Sequence, residues 1–349
     1  MNMLNYIVFN MTNTKRLDHL WKNGREFLGV DYPIICGAMT WVSTPNLVAT
    51  VCNDGAFGVL AGGNMPAEML EKDIDATRCL TKKPFGVNLI TIAPNYPAHL
   101  DMVCRKKAPF IIFAGSFPRT EEIQKAKDSG AKVICFASTD SIAERMIKYG
   151  TDGLMLEGSE SGGHIGPVSL IVLLQEVLFK FKDQLPIFAA GGIATGRMMA
   201  HLLLMGASGI QMGTRFVMSP ECQAHPEFKE AFLRAKARDA MATPQFDSAL
   251  PVVSVRALYN EGTVAFGKLQ MELIQKLETK TISRKEAQFE VERFWMGALR
   301  KAVVDGDVKH GSLMAGQSVG LVKDIKPIKA IISQFIADAT AELDSIHSH

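Results

Sequence analysis

The chain lacks most of the features that would tie it to a membrane, a metal or a nucleic acid. No run of roughly 18 or more uninterrupted apolar residues occurs, so nothing reads as a membrane-spanning helix. Charge of one sign is missing too: 38 basic residues face 36 acidic ones, a formal net charge of +2. That balance gives no electrostatic case for nucleic acid or an acidic membrane surface. The six cysteines, Cys36, Cys52, Cys79, Cys104, Cys135 and Cys222, never fall at C-x-x-C spacing, which excludes a zinc ribbon and a dithiol redox motif. They stand singly in apolar surroundings and read as reduced, buried thiols of a cytoplasmic protein. A Walker A loop is absent, and the G-x-S-x-G string at 316–320 follows no strand-like apolar run and so is no nucleophile elbow; neither a P-loop site nor a Ser-His-Asp hydrolase is supported. Residues 1–13 lack a basic segment leading into an apolar one and read as a mobile, dispensable terminus rather than a signal peptide.

What is present is a large apolar content, 47% of 349 residues, which excludes a mainly disordered chain. It is concentrated in short runs that end in Gly, Ala, Asn or Ser. The runs begin at Pro33, Phe57, Phe85, Phe110, Lys132, Gly153, Ile187 and Gly209. About five apolar residues without alternation suit strands buried on both faces, as in a parallel sheet. Helix-compatible segments lie between them, including 46–53, 67–78, 121–129, 141–149, 168–179 and 197–205. Eight such strand–helix units predict a TIM (β/α)8 barrel over about residues 27–218. A doubly wound open sheet stays open as an alternative, although no G-x-G-x-x-G turn follows the first run.

Beyond Val217 the pattern changes. Residues 221–241 read as polar helix and 243–260, with Pro244 and Pro251, as an extended connection. Helices follow at 266–277 and 287–304. The second begins with a capping box, Ser283 and Glu286, and carries an apolar face of Val291, Phe294, Trp295, Ala298, Leu299 and Ala302 that is expected to pack against the barrel. A Gly-rich stretch, 306–320, precedes a last amphipathic helix from Pro327. The expected organisation is a tail or short helix over 1–26, a barrel over 27–220, a helical insertion over 221–322 that leans over the strand ends as a lid, and a C-terminal helix over 323–349 that packs back on the barrel.

In a barrel, function sits at the C-terminal ends of the strands. The runs ending Gly191-Gly192 and Gln211-Met212-Gly213-Thr214 are the expected seventh and eighth strand ends, where barrels commonly hold phosphate. Arg215 reads either as a phosphate partner or as a structural ion-pair residue. Residues 157–166, Glu-Gly-Ser-Glu-Ser-Gly-Gly-His-Ile-Gly, surround His164 with glycines, so the backbone can lie flat against a planar ring while an imidazole is presented for proton transfer. His19, His99, His201, His347 and His349 lack that setting and read as surface or packing residues. No second His or Cys stands at ligand spacing from His164, so no metal site is expected. Asn88 ends the third run and can bond a heteroaromatic edge.

Taken together, Pro-Ile-Ile-x-Gly-Ala-Met (33–39), Pro-Phe-Gly-Val-Asn (84–88), the 157–166 loop, Ala-Ala-Gly-Gly-Ile-Ala (189–194) and Gln-Met-Gly-Thr-Arg-Phe (211–216) resemble the nitronate monooxygenase family, formerly called 2-nitropropane dioxygenases. The same superfamily holds the FMN-dependent enoyl-ACP reductase II enzymes. The resemblance spans about residues 27–325 and implies FMN on the barrel. By that resemblance Ala38, Met39, Asn88, Glu157, Gly162, Gly163, Gly191, Gly192, Gln211, Met212, Gly213 and Thr214 are flavin contacts, and His164 is the active-site histidine. Cys36 and Glu157 stand where relatives often carry Gln. Glu157, the segment 301–307 and the segment 311–317 resemble the reductases instead. Two chemistries therefore stay open: oxidation of alkyl nitronates with oxygen, or NAD(P)H-dependent reduction of an enoyl thioester, with acyl carrier protein as a partner. A homodimer is compatible with either. A barrel that binds a phosphate ligand without redox chemistry is the outside alternative.

Overall fold

The computed structural model describes residues 16–63, 65–250 and 252–347. The expectation for residues 1–13 lies outside the described residues. The strands, in chain order, are β1 (Ile34–Cys36), β2 (Phe57–Ala61), β3 (Gly86–Ile90), β4 (Phe110–Ala114), β5 (Lys132–Ala137), β6 (Gly153–Glu157), β7 (Gly163–His164), β8 (Ile187–Ala190), β9 (Gly209–Met212), β10 (Ala240–Ala242) and β11 (Val255–Leu258). Eight of them close into a parallel barrel in the order β1-β2-β3-β4-β5-β6-β8-β9. Ile35 pairs with Phe57 on one side and with Gln211 on the other, and this closure removes the open-sheet alternative. All eight predicted runs are barrel strands. The short β7 leaves the barrel and joins a separate sheet in the order β10-β11-β7.

Successive side chains of a strand point to opposite faces, so each barrel strand feeds two cores. Ile35, Phe57, Val59, Phe110, Ile112, Ile134, Met155 and Phe188 point inward and fill the lower barrel. Their neighbours Ile34, Val87, Ile111, Val133, Leu154, Ile187 and Ile210 face the surrounding helices. At the N-terminal end of the strands the helix Lys22–Leu28 closes the barrel, with the Phe27 ring 5.7 Å from Phe110 and 6.1 Å from Phe188. Leu17 and Trp21 are buried ahead of it, so the chain is anchored to the core from about there on. The predicted helices appear within a residue or two, as Pro45–Asn53, Ala67–Leu80, Thr120–Asp128, Asp140–Lys148 and Gly196–Met205. The 168–179 expectation corresponds to Leu170–Phe181, interrupted by a π turn over Leu174–Leu178. The C-terminal helix Ile328–His347 packs on Gly196–Met205, where Glu342 pairs with Arg197 and His201.

Several expectations need correction. Helix over 221–241 stops at Arg234, because the chain then turns through a 3-10 segment into β10. The connection 243–260 contains β11, which pairs with β10 just before it and with the distant β7. The thiols of Cys36, Cys52, Cys135 and Cys222 are buried, but Cys79 is exposed and Cys104 half-buried; all six are free. The apolar face of helix Arg284–Val303 is divided. Val291 and Trp295 build a separate cluster with Leu250, Val255, Phe266, Leu273 and Ala287, while Ala302 joins the main core. Phe266 stacks 4.1 Å from Trp295, so this part of the chain carries its own packing. No helix among the described residues is long and apolar enough to cross a membrane.

The capping box forms as expected: Ser283 Oγ accepts from the Glu286 amide at 3.2 Å, and Glu286 Oε2 accepts from the Ser283 amide at 2.8 Å. Ser283→Ala is expected to cost about 1 kcal/mol in a urea titration, and an unchanged midpoint would show that the helix start is held by packing alone.

Candidate active site

The inward alternation that fills the lower barrel continues to the strand ends. There it places Asn88, Glu157, Ala190 and Gln211 around one cleft. Glu157, Ala190 and Gln211 are register neighbours across β6, β8 and β9. Asn88 is buried and its Nδ2 donates to the Ile112 carbonyl at 3.1 Å, which fixes the amide plane on the next strand. Gly37 ends β1 directly against Gln211: a Cβ there would lie 2.9 Å from the Gln211 side chain. Ala38 and Met39 continue around the rim.

The loop after β6 turns back over the cleft and becomes β7. Gly163 pairs with Arg256 and His164 with Val255, and the Ile165 amide donates to Ser254 at 2.9 Å. Gly162 has no room for a side chain, since a Cβ would lie 2.5 Å from the Gly316 nitrogen. The Arg256 guanidinium anchors the arrangement through Ser159 and Ala240 carbonyls at 3.0 and 2.6 Å. His164 is thereby pinned at the backbone. Its ring Nε2 meets Glu292 Oε1 at 3.2 Å, from helix Arg284–Val303.

The ends of β8 and β9 bring Gly191, Gly192, Ile193, Met212, Gly213 and Thr214 to the same cleft, with Gly191 packed beside Gly158 and Ser161 of the β6 loop. Among the described residues, no protein group accepts a hydrogen bond from the amides of Gly192, Ile193, Gly213 or Thr214. Four neighbouring donors without acceptors, on two glycine loops, make a cradle for an anion. Arg215 does not reach it. Its guanidinium binds the Asp324 carboxylate at 2.7 Å and the Met218 and Asp324 carbonyls, which settles it as a structural ion-pair residue.

All thirteen residues expected at the site, from Ala38 to Thr214, therefore border one cleft. The outlying histidines do not: His99 is buried on the Met65 carbonyl at 2.7 Å, His201 pairs with Glu342, and His19 is exposed. His349 and the side chain of His347 lie outside the described residues. Sequence reasoning missed Glu292 and assigned Trp295 and Leu299 to packing, yet all three line the cleft, with Met296 and Met314. A signal was available: Glu292 lies in the same stripe as Trp295, Leu299 and Ala302, a carboxylate at helical spacing in an otherwise apolar face. The helix is tied to the barrel by Trp41 Nε1, which donates to the Met296 carbonyl at 3.3 Å. The indole Nε1 of Trp295 is buried without a partner. Among the described residues, no group of three His, Cys, Asp or Glu could hold a metal ion.

The electrostatics are unusual for a cleft with two carboxyl groups. Burial pushes the Glu157 carboxyl up to about 8, although His164 and a hydrogen bond from Ser161 pull the other way, so it carries its proton at neutral pH. For His164 burial disfavours the imidazolium, but the Glu292 carboxylate and then Glu157 outweigh it, and the pKa is raised. A carboxyl raised from 4.5 to about 8 on folding contributes stability below about pH 4.5 and loses it as pH climbs to about 8. Glu157→Gln is therefore expected to melt above the unaltered chain at about pH 8.5, with the two curves converging toward acid. Parallel melting profiles across that window would contradict the assignment.

Three comparisons bear on this arrangement. The model of the nitronate monooxygenase family matches residues 23–97 and 90–338. A 5-hydroxy-7a-methyl-1-oxo-octahydro-1H-indene-4-carboxyl-CoA dehydrogenase of Rhodococcus jostii is 31% identical over 342 residues, covering 92% of this chain and 96% of its own. A probable nitronate monooxygenase of Staphylococcus aureus is 28% identical over 66% of this chain and 78% of its own. Among solved structures, FabK from Thermotoga maritima superposes with a TM-score of 0.80 at 35% identity, covering 93% of this chain and 97% of that one. A nitroalkane oxidase from Streptomyces ansochromogenes, at 23% identity and a TM-score of 0.76, shares the fold. The chain belongs to the nitronate monooxygenase family and is an oxidoreductase.

Proposed function

We propose that the cleft binds FMN and that the enzyme reduces the carbon–carbon double bond of an enoyl thioester with electrons from NAD(P)H. The observation that carries the substrate reading is charge. Among the described residues no lysine or arginine lines the cleft, and its one imidazole is paired with Glu292. A nitronate arrives as an anion and meets only an imidazole already paired with Glu292, whereas the enoyl thioester group arrives neutral and becomes charged only as hydride adds. The Rhodococcus relative, whose name states a carboxyl-CoA compound, and the likeness to FabK support the same direction.

The residues present fit FMN. The free amides of Gly192, Ile193, Gly213 and Thr214 would hold its phosphate. Asn88 and Gln211 would meet the polar edge of the ring, with Ala38, Met39, Gly162 and Gly163 against its surface. Protonated Glu157 adds a donor. When bound, the flavin supplies the centre that accepts hydride from the nicotinamide and delivers it to the β-carbon. The protein's share is proton handling. Nε2 of His164 is taken by Glu292, which leaves Nδ1–H for the thioester. Hydride addition builds negative charge on the α-carbon and thioester oxygen. An imidazolium stabilises that charge and returns a proton to the α-carbon, completing the addition of two hydrogens. Residues 221–322 act as the lid over this chemistry.

The family match favours a second reading, nitronate oxidation with oxygen. In it His164 must remove a proton from a nitroalkane or hold the anion, and the Glu292 carboxylate on Nε2, which favours the protonated ring, suits the second of these roles better than the first. Anaerobic reduction separates the two. Rapid bleaching of the flavin by NADH or NADPH, with reoxidation by crotonyl thioester, is expected. Bleaching by a nitronate but by neither nicotinamide would overturn the thioester reading. A colourless protein that takes up no FMN would return the cleft to a phosphate-ligand site.

A further inference from the structure

We propose that Glu292 is the positioning residue for His164: the lid helix Arg284–Val303 supplies the carboxylate that orients the imidazole and retains its second proton, so the proton donor of the cleft is assembled from barrel and lid together.

The first support is the burial of Glu292. It is 4% exposed, and among the described residues His164 is the one side chain that hydrogen-bonds its carboxylate. A carboxylate so buried is costly unless a charged partner compensates it, and removing that partner leaves the charge stranded. The pair is best read as imidazolium with carboxylate rather than as two neutral groups in passing contact.

The second support is the way His164 is held. Its backbone is fixed by β11, through Val255 and Ser254, while its ring is fixed by Glu292 at Nε2. A carboxylate on one ring nitrogen decides which nitrogen faces the substrate. The remaining charged groups near the loop are otherwise engaged. Arg256 on β11 is turned to the Ser159 and Ala240 carbonyls, and Glu160 accepts from the Leu170 amide at 3.0 Å. Glu157 on β6 acts on His164 in the same sense as Glu292 only where it has lost its proton. The register of the lid helix is set one turn from Glu292, where Trp41 holds the Met296 carbonyl.

The inference rests on His164 meeting the substrate, and not on whether that substrate is a thioester or a nitronate. The test is a histidine NMR titration of the full chain, with the His164 signal identified by its loss in His164→Ala. In Glu292→Gln the His164 midpoint is expected to move to lower pH, while Glu292→Asp, which keeps the charge, stays nearer the unaltered chain. With an enoyl thioester as substrate, kcat of Glu292→Gln is expected to fall about tenfold or more at about pH 8 and less at about pH 6, with KM little changed. An unmoved midpoint in Glu292→Gln overturns the proposal. So does a midpoint that falls as far in Glu292→Asp, since charge would then be irrelevant. Full turnover in His164→Ala, with the midpoint still moving in Glu292→Gln, would remove the catalytic reading of His164 and leave the pairing standing.

Discussion

The pairing of Gly163–His164 with Val255–Leu258 holds the functional end of this molecule together. On one side of that short ladder lies the loop leaving β6; on the other lies the segment that follows the barrel. Once the two are paired, the His164 backbone has a fixed place, and the strand that fixes it also packs Val255 into the cluster of Phe266 and Trp295. That cluster seats helix Arg284–Val303, and the helix presents Glu292. The Gly-rich segment completes the enclosure: the Gly316 amide donates to Thr214 and the Gln317 amide to the Glu160 carbonyl. The barrel loops and the segment that follows the barrel are therefore coupled through two backbone amides, one on the Thr214 hydroxyl and one on a carbonyl.

The second constraint is electrostatic. Among the described residues the cleft has no lysine or arginine, so its buried carboxyl groups must be neutralised by a proton or a partner. Glu157 takes the first course and Glu292 the second. The positive end of the cleft comes instead from backbone amides, which carry no titratable charge and attract an anion only where it fits between the two glycine loops. On the proposed reading, this division lets one cleft hold a phosphate on its glycine loops and handle a proton at His164.

The legible part of this structure was the part ruled by local repetition. Barrel strands buried on both faces, each ending in small or polar residues, could be counted, and their ends pointed to the segments that carry Asn88, Glu157 and Gln211; joining these into one flavin site took the family resemblance. The capping box at Ser283 is equally local. What was not legible depends on distant partners. Val255–Leu258 carries a buried arginine and pairs with a two-residue strand, so it has no periodicity of its own. Glu292 owes its role to a histidine 128 positions away. An apolar helical stripe predicts burial but not which of two cores receives it, and that is why Val291 and Trp295 were assigned to the barrel rather than to the lid.

The central claim is that two glycine loops, and not a basic side chain, hold the phosphate of a flavin in this cleft. Affinity for FMN against riboflavin, followed by quenching of flavin fluorescence over a range of salt concentrations, tests it most directly. Binding of FMN on the order of a hundredfold tighter than riboflavin, with little dependence on salt, is the expected result for a site built of oriented amides. Equal affinity for the two flavins would contradict it.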